Sequence, residues 1–210
     1  MTTGPGEVAA PDLDRNPVPP SDDAVVPDPD ASYERAGGAP PVTDRERAIV
    51  SAQLGRPARG ESAVVHRCVF GLPTAVRVAP RLDDGTPFPT VFWQTCPALR
   101  SQIGRLEAAH EMVTINEQLD ADEGFQSAHA AATQRYVAFR DELAGGEKLP
   151  GDPRAGGNER YVKCLHVHAA HFLATNDGPV GERTMELARP VPCSGPCVSE
   201  EDVATWTARP

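Results

Sequence analysis

The chain has 210 residues, a formal charge of -10, 22 prolines and five cysteines. That length suits one ordinary domain with tails, and the acidity argues against a nonspecific nucleic-acid binder, which gathers Lys and Arg on one face. An odd, sparse set of cysteines argues against a secreted disulfide scaffold and for reduced thiols in a cytoplasm.

The opening residues, MTTGPGEVAAPDLDRNPVPP, have neither a basic nor an apolar leader region, and nowhere does an apolar run approach the roughly 18 residues of a membrane span. Neither an export signal nor a membrane partner is expected. Residues 1–43 hold eight acidic and two basic side chains, nine prolines, and Tyr33 as their one aromatic. So little apolar surface cannot offset chain entropy, and the segment reads as a disordered acidic tail. Beyond solubility, its candidate role is a tether for a protein partner.

The folded body is expected over residues 44–188. TDRERAIVSAQLG places Thr43 and Glu46 as a capping box and Gly55 as a stop, which predicts a short helix. ESAVVHRCVFG alternates as a strand that turns Val64, His66, Cys68 and Phe70 to one face. GLP breaks the run, TAVRVAP predicts a second strand, and RLDDGTPFP reads as a turn, so Asp83 and Asp84 belong to turn chemistry and not to an acid–base pair. TVFWQT predicts a third strand. It runs into CPALRSQIGRLEAAHEM, where Pro97 suits a first helical position and Leu99, Ile103, Leu106 and Val113 recur at helical spacing.

A long helix follows over DADEGFQSAHAAATQRYVAFRDELAGG, with Phe125, Ala128, Ala132, Tyr136, Phe139 and Leu143 as its stripe. The Gly- and Pro-rich stretch 145–159 reads as a loop able to move or to lie over a site. Another helix is expected across RYVKCLHVHAAHFLATND, a short one near GERTMELA, and residues 189–210 form a Pro-rich C-terminal segment. The fold class is therefore α+β: a short antiparallel sheet of three strands packed against about four helices.

The crowded helix at 160–177 raises the chemical question. At about 100° per residue, Val162, Leu165, Ala169, Phe172 and Leu173 make its core stripe, while Cys164, His168 and His171 stack on one flank at i, i+4 and i+7. Such stacking presents several ligands to one metal ion. His166 falls on the other flank, where a bond to a backbone carbonyl is its expected role. Cys96 sits where a helix N-terminus would lower its pKa and favour the thiolate. With Cys68 and Cys164 it forms a candidate constellation, completed by His66, His171 or Cys197, and sulfur-rich sets of four suit zinc or an iron–sulfur cluster.

A structural or regulatory metal-binding role is the first reading. The alternative is a thiol-dependent enzyme or phosphate-ligand protein in which Cys96 or Cys164 works with a nearby histidine and the arginines. Residues 44–81 hold seven arginines against three acids, and Arg56, Arg59 and Arg67 are the candidate anion-binding side chains, since guanidinium groups bind such ligands in bidentate fashion. No nucleotide-binding glycine loop, HExxH, GxSxG or phosphatase-type cysteine loop is present.

Three stretches together, GRPARGESAVVHRCVFGLPTAV, RLDDGTPFPTVFWQTCPALRSQIGRLEAA and VKCLHVHAAHFLA, resemble the bacterial family called domain of unknown function 501, over roughly residues 45–185. That family has no assigned activity. The resemblance implies a cytoplasmic protein whose gene neighbours concern septum formation and exopolyphosphatase activity, hence a link to cell division or phosphate metabolism. Its motif fits Cys68, Cys96, Cys164, His166 and His171, whereas His168 stands where the family is usually apolar, which leaves Cys164 with His171 as the firmer part of the flank.

Overall fold

The computed structural model describes residues 28–82 and 84–208. Among them are eight helices and a three-stranded antiparallel sheet, an α+β fold. None of these helices is long and apolar enough to cross a membrane.

The sheet is a meander of β1 (Ser62–Arg67), β2 (Pro73–Val78) and β3 (Phe92–Gln94), in the order β1-β2-β3. Alternation puts successive side chains of β2 on opposite faces. Ala75 joins a core built with α6 (Leu165–Thr175), while Val76 and Val78 join Val50 of α2 (Asp44–Leu54). Both faces are covered, so every residue of β2 is buried. The capping box of α2 is present, with the Thr43 hydroxyl accepting from the Glu46 N–H at 3.2 Å and the Glu46 carboxylate accepting from the Thr43 N–H at 2.8 Å.

The strand pattern of β1 stops short of the predicted run. Register shifts fall between Val64 and His66 and again before Arg67. Cys68 then lies in the hairpin turn, donating its N–H to Leu72 O and accepting from the Gly71 N–H. His66 and Cys68 therefore do not share one regular strand face.

The predicted helix from Pro97 to beyond Val113 is two helices. α3 (Pro97–Ala108) ends with Ala109 as its C-cap, and α4 (Glu111–Ala121) starts after His110, which takes a left-handed conformation, φ 64°. Val113 is consequently 53% exposed, and Ile115 and Leu119 are the apolar side chains α4 buries. α5 (Glu123–Leu143) buries Ala132, Tyr136 and Phe139 from the expected stripe, and also Arg140.

Arg140, 1% exposed, donates to Asp152 Oδ1 and to Pro153 O, and Arg154 pairs with Asp152 and Glu159. The loop after α5 is thus pinned by guanidinium groups, and its far end forms a small hairpin of β4 (Gly157–Asn158) and β5 (Tyr161–Val162).

Two terminal segments depart from expectation. The tail expected over 1–43 contains a helix, α1 (Pro29–Gly37), while residues 1–27 lie outside the described ones. Asp28 caps α1, and its Tyr33 is 8% exposed against Phe139 and His171. A single well-placed aromatic with a capped helix docks a segment whose overall composition reads as disordered. Beyond α7 (Pro179–Leu187), the Pro-rich end likewise carries α8 (Glu200–Thr207), which buries Val203 against Ala48 and Ile49 of α2. Gly181 lets α7 press on α6, for a Cβ there would come within 2.3 Å of His168 O.

Candidate functional site

Cys164 is the N-cap of α6 with extended backbone, φ -151° and ψ 113°, and not a residue of its first turn. The preceding Tyr161 and Val162 belong to β5, and the N–H groups of Lys163 and Cys164 both reach Gly156 O. The i, i+4, i+7 flank of Cys164, His168 and His171 therefore does not form, because its first member leaves the helical screw. Instead the cysteine stands at the start of α6 beside His166, which the helical projection had set apart from it.

The third partner comes from α3. Glu107 Oε1 accepts the Leu165 N–H at 2.8 Å, filling a bond that a helix N-terminus leaves open, and lies 3.3 Å from His166 Nδ1. The ligating atoms of Glu107, Cys164 and His166 lie within 4.8 Å of one another. His166 Nε2 donates to Arg100 O at 3.2 Å, the carbonyl bond expected from the sequence. Both ring nitrogens thus face acceptors, the arrangement that favours imidazolium. Its hydrogen bond to Cys164 and the charge of Glu107 push the His166 pKa up to about 9.

Cys164 and His166 open on a cleft of about 420 Å³, which Glu107 does not line. Arg56 and Arg100 supply positive charge; Leu54, Phe92, Trp93 and Val167 supply apolar walls. The Arg56 guanidinium lies over the Trp93 ring, 5.9 Å from its centroid. Gln94 also lines the cleft, is 5% exposed, and donates from Nε2 to Cys96 O, while its Oε1 has no hydrogen-bond partner among the described residues.

The other expected residues lie elsewhere. His171 is 4% exposed among the rings of Phe92, Tyr33 and Tyr136, and its Nε2 meets the Tyr33 hydroxyl. The same hydroxyl lies 3.2 Å from Asp177, which Arg135 grips with two bonds of 2.8 and 2.7 Å. His168 donates to Gly156 O at 3.2 Å. Burial drives both downward, His168 to about 3 and His171 to about 4, so each is neutral at pH 7.

Cys68, Cys96, Cys197 and His66 line a different cleft from Cys164. The Cys96 thiol, though it caps α3, is pushed up by burial against the opposing pull of the Leu99 and Ala98 N–H groups. Desolvation outweighs the helix-terminus effect expected from the sequence. His66 bonds Thr74 Oγ1. The arginines are dispersed: Arg59 lies in a shallow groove with Arg47, Glu61 and Asp84, and Arg67 pairs with Glu46, leaving Arg56 alone of the three at the Cys164 cleft.

Sequence reasoning missed Glu107 and Arg100. Their one visible signal was a place on a predicted helix, which does not say what that helix crosses. Comparison with curated proteins and with solved structures finds no match. A family model covers residues 64–186, which span β1 to α7 and include Cys164, His166 and Glu107. The chain belongs to the family described as protein of unknown function (DUF501).

Proposed function

We propose that the chain is a thiol-dependent enzyme acting on a small anionic acyl substrate, with Cys164 as nucleophile and His166 as its proton donor and acceptor. The observation that carries this reading is the packing of Cys164, His166 and Glu107 within 4.8 Å of one another beside a cleft walled by Arg56 and Arg100. In the reaction, the Cys164 thiol proton is held on His166, the sulfur bonds to the acyl carbon, and the carbonyl electron pair moves to oxygen. That pair returns as the leaving group departs with a proton from His166. Water, giving a proton to His166, then adds its oxygen to the acyl carbon, and the Cys164 sulfur leaves as the thiolate beside the recharged imidazolium. Glu107 positions the imidazole, and the arginines hold the carboxylate or phosphate of the substrate.

The same three donor types are also those of a metal centre. The cleft walls favour the enzyme reading, because the positive charge of Arg56 and Arg100 suits an anionic substrate and opposes a cation. The chemistry needs reduced thiols, as a cytoplasmic location supplies. Of the two contexts that the resemblance implies, an arginine-walled cleft supports phosphate metabolism.

The test is competitive alkylation of the metal-free native protein by iodoacetate and iodoacetamide, read by peptide mass spectrometry. Half-buried Cys164 is expected to react faster than exposed Cys193 and to prefer the anionic reagent. Arg56→Ala removes the preference, and His166→Ala slows the reaction several-fold. A Cys164 slower than Cys193 towards both reagents rules the reading out.

A further inference from the structure

The second cleft, of about 470 Å³, is lined by four of the five cysteines, Cys68, Cys96, Cys193 and Cys197. They arrive from three separate places: the β1–β2 turn, the start of α3, and the segment between α7 and α8. Cores accept single cysteines as small apolar side chains. That explains buried Cys96, but not Cys193 and Cys197, which are exposed and face the same cleft.

Polar groups also face this cleft. Gln53 Nε2 donates to Cys197 Sγ at 3.5 Å. Cys68 opens a tight turn closed by its own backbone and by Gly71 at φ 74°. Gln53 is 4% exposed, lines the cleft, and keeps Oε1 unpaired among the described residues. Three residues separate Cys193 from Cys197, within the spacing by which one loop supplies two of four zinc ligands.

We infer that Cys68, Cys96, Cys193 and Cys197 form a tetrahedral thiolate site for zinc that clasps the segment before α8 onto the sheet. No three of these thiols lie within 4.8 Å of one another in the structure. Binding therefore draws the exposed 193–197 segment inward, towards Cys68 at the turn and Cys96 at the head of α3. The site is separate from the Cys164 cleft and does not depend on the reaction assigned there.

The experiment is elemental analysis of the full chain, purified without oxygen or chelator and then dialysed against trace zinc. Cobalt substitution gives a second readout through the visible absorption of tetrahedral cobalt thiolate. The expected result is one zinc per chain, lost in Cys193→Ser/Cys197→Ser and kept in Cys164→Ser. The double variant changes exposed side chains, and circular dichroism checks that it stays folded. Zinc retained by the double variant overturns the inference. So do no zinc uptake by reduced protein, a Cys193–Cys197 disulfide in protein that takes no metal, or iron with matching sulfide.

Discussion

The two ends of α6 carry histidines of the same helix with opposite chemistry. His166, near the N-terminus, is partly exposed beside Cys164 and Glu107 and is raised to about 9. Two residues on, His168 is buried and lowered to about 3, and His171 to about 4. A neighbouring acceptor holds the proton on the first, while loss of solvent removes it from the others. Residue type does not set the role; what packs around the side chain does. Along α6 the solvent-facing His166 keeps its proton, and the buried His168 and His171 give theirs up.

Acid should separate the two ends most strongly. His168 and His171 are neutral in the fold but take protons in the unfolded chain near the ordinary histidine pKa of about 6.5. Their contribution is complete above that value and falls as pH drops towards 4, by at most about 1.4 kcal/mol per pH unit for each histidine. Urea denaturation between pH 7 and pH 5 should show a declining midpoint, and a flat profile would remove the distinction between the two ends.

Next in size is His171→Ala. It strips a ring from between Phe92 and Tyr136 and leaves Tyr33 and Asp177 short of a partner, costing about 3 kcal/mol. Cys164 alkylation in the folded variant should be unchanged. Gly181→Ala should cost about 1–3 kcal/mol by forcing α7 away from His168 O, again without touching the cysteine.

The last substitution is His166→Ala, whose stability effect at pH 7 is kept below that of His171→Ala by solvent screening, since the pair it breaks is partly solvated. It should nevertheless have the largest effect on Cys164 reactivity. The His166 contribution is present below about pH 6.5 and is lost as pH rises through 9, so the wild type should lose stability over that range relative to the variant. Equal slopes would show that Glu107 and Cys164 do not hold the proton.

Much of the frame was legible because it depends on local patterns. The short apolar run of TAVRVAP, the Thr43–Glu46 capping box and Pro97 at a helix start each express a rule spanning a few residues, and each has its counterpart in the structure. The break at His110 was not legible, since apolar spacing runs across it and the backbone there takes φ 64° without a glycine. Nor was α1: it is stabilised by Tyr33 reaching His171, 138 residues away.

The candidate site divides in the same way. An unusual density of Cys and His between 164 and 171 is visible in one line of sequence, and so are four further cysteines. Their partition is not, for it depends on where a helix begins. Once Cys164 becomes a cap, it turns to His166 and Glu107 instead of His168 and His171.

The sequence by itself determined the α+β class, the three-strand order of elements and the residue types available for chemistry, because backbone propensity and hydrophobic period act over a few neighbours. Only the tertiary structure decided that Glu107 meets Cys164 and His166, that His171 is a packing residue, and that four other thiols share a second cleft. Those pairings join residues distant in the chain, and burial, which sets their charge, exists only once the helices have closed on the sheet.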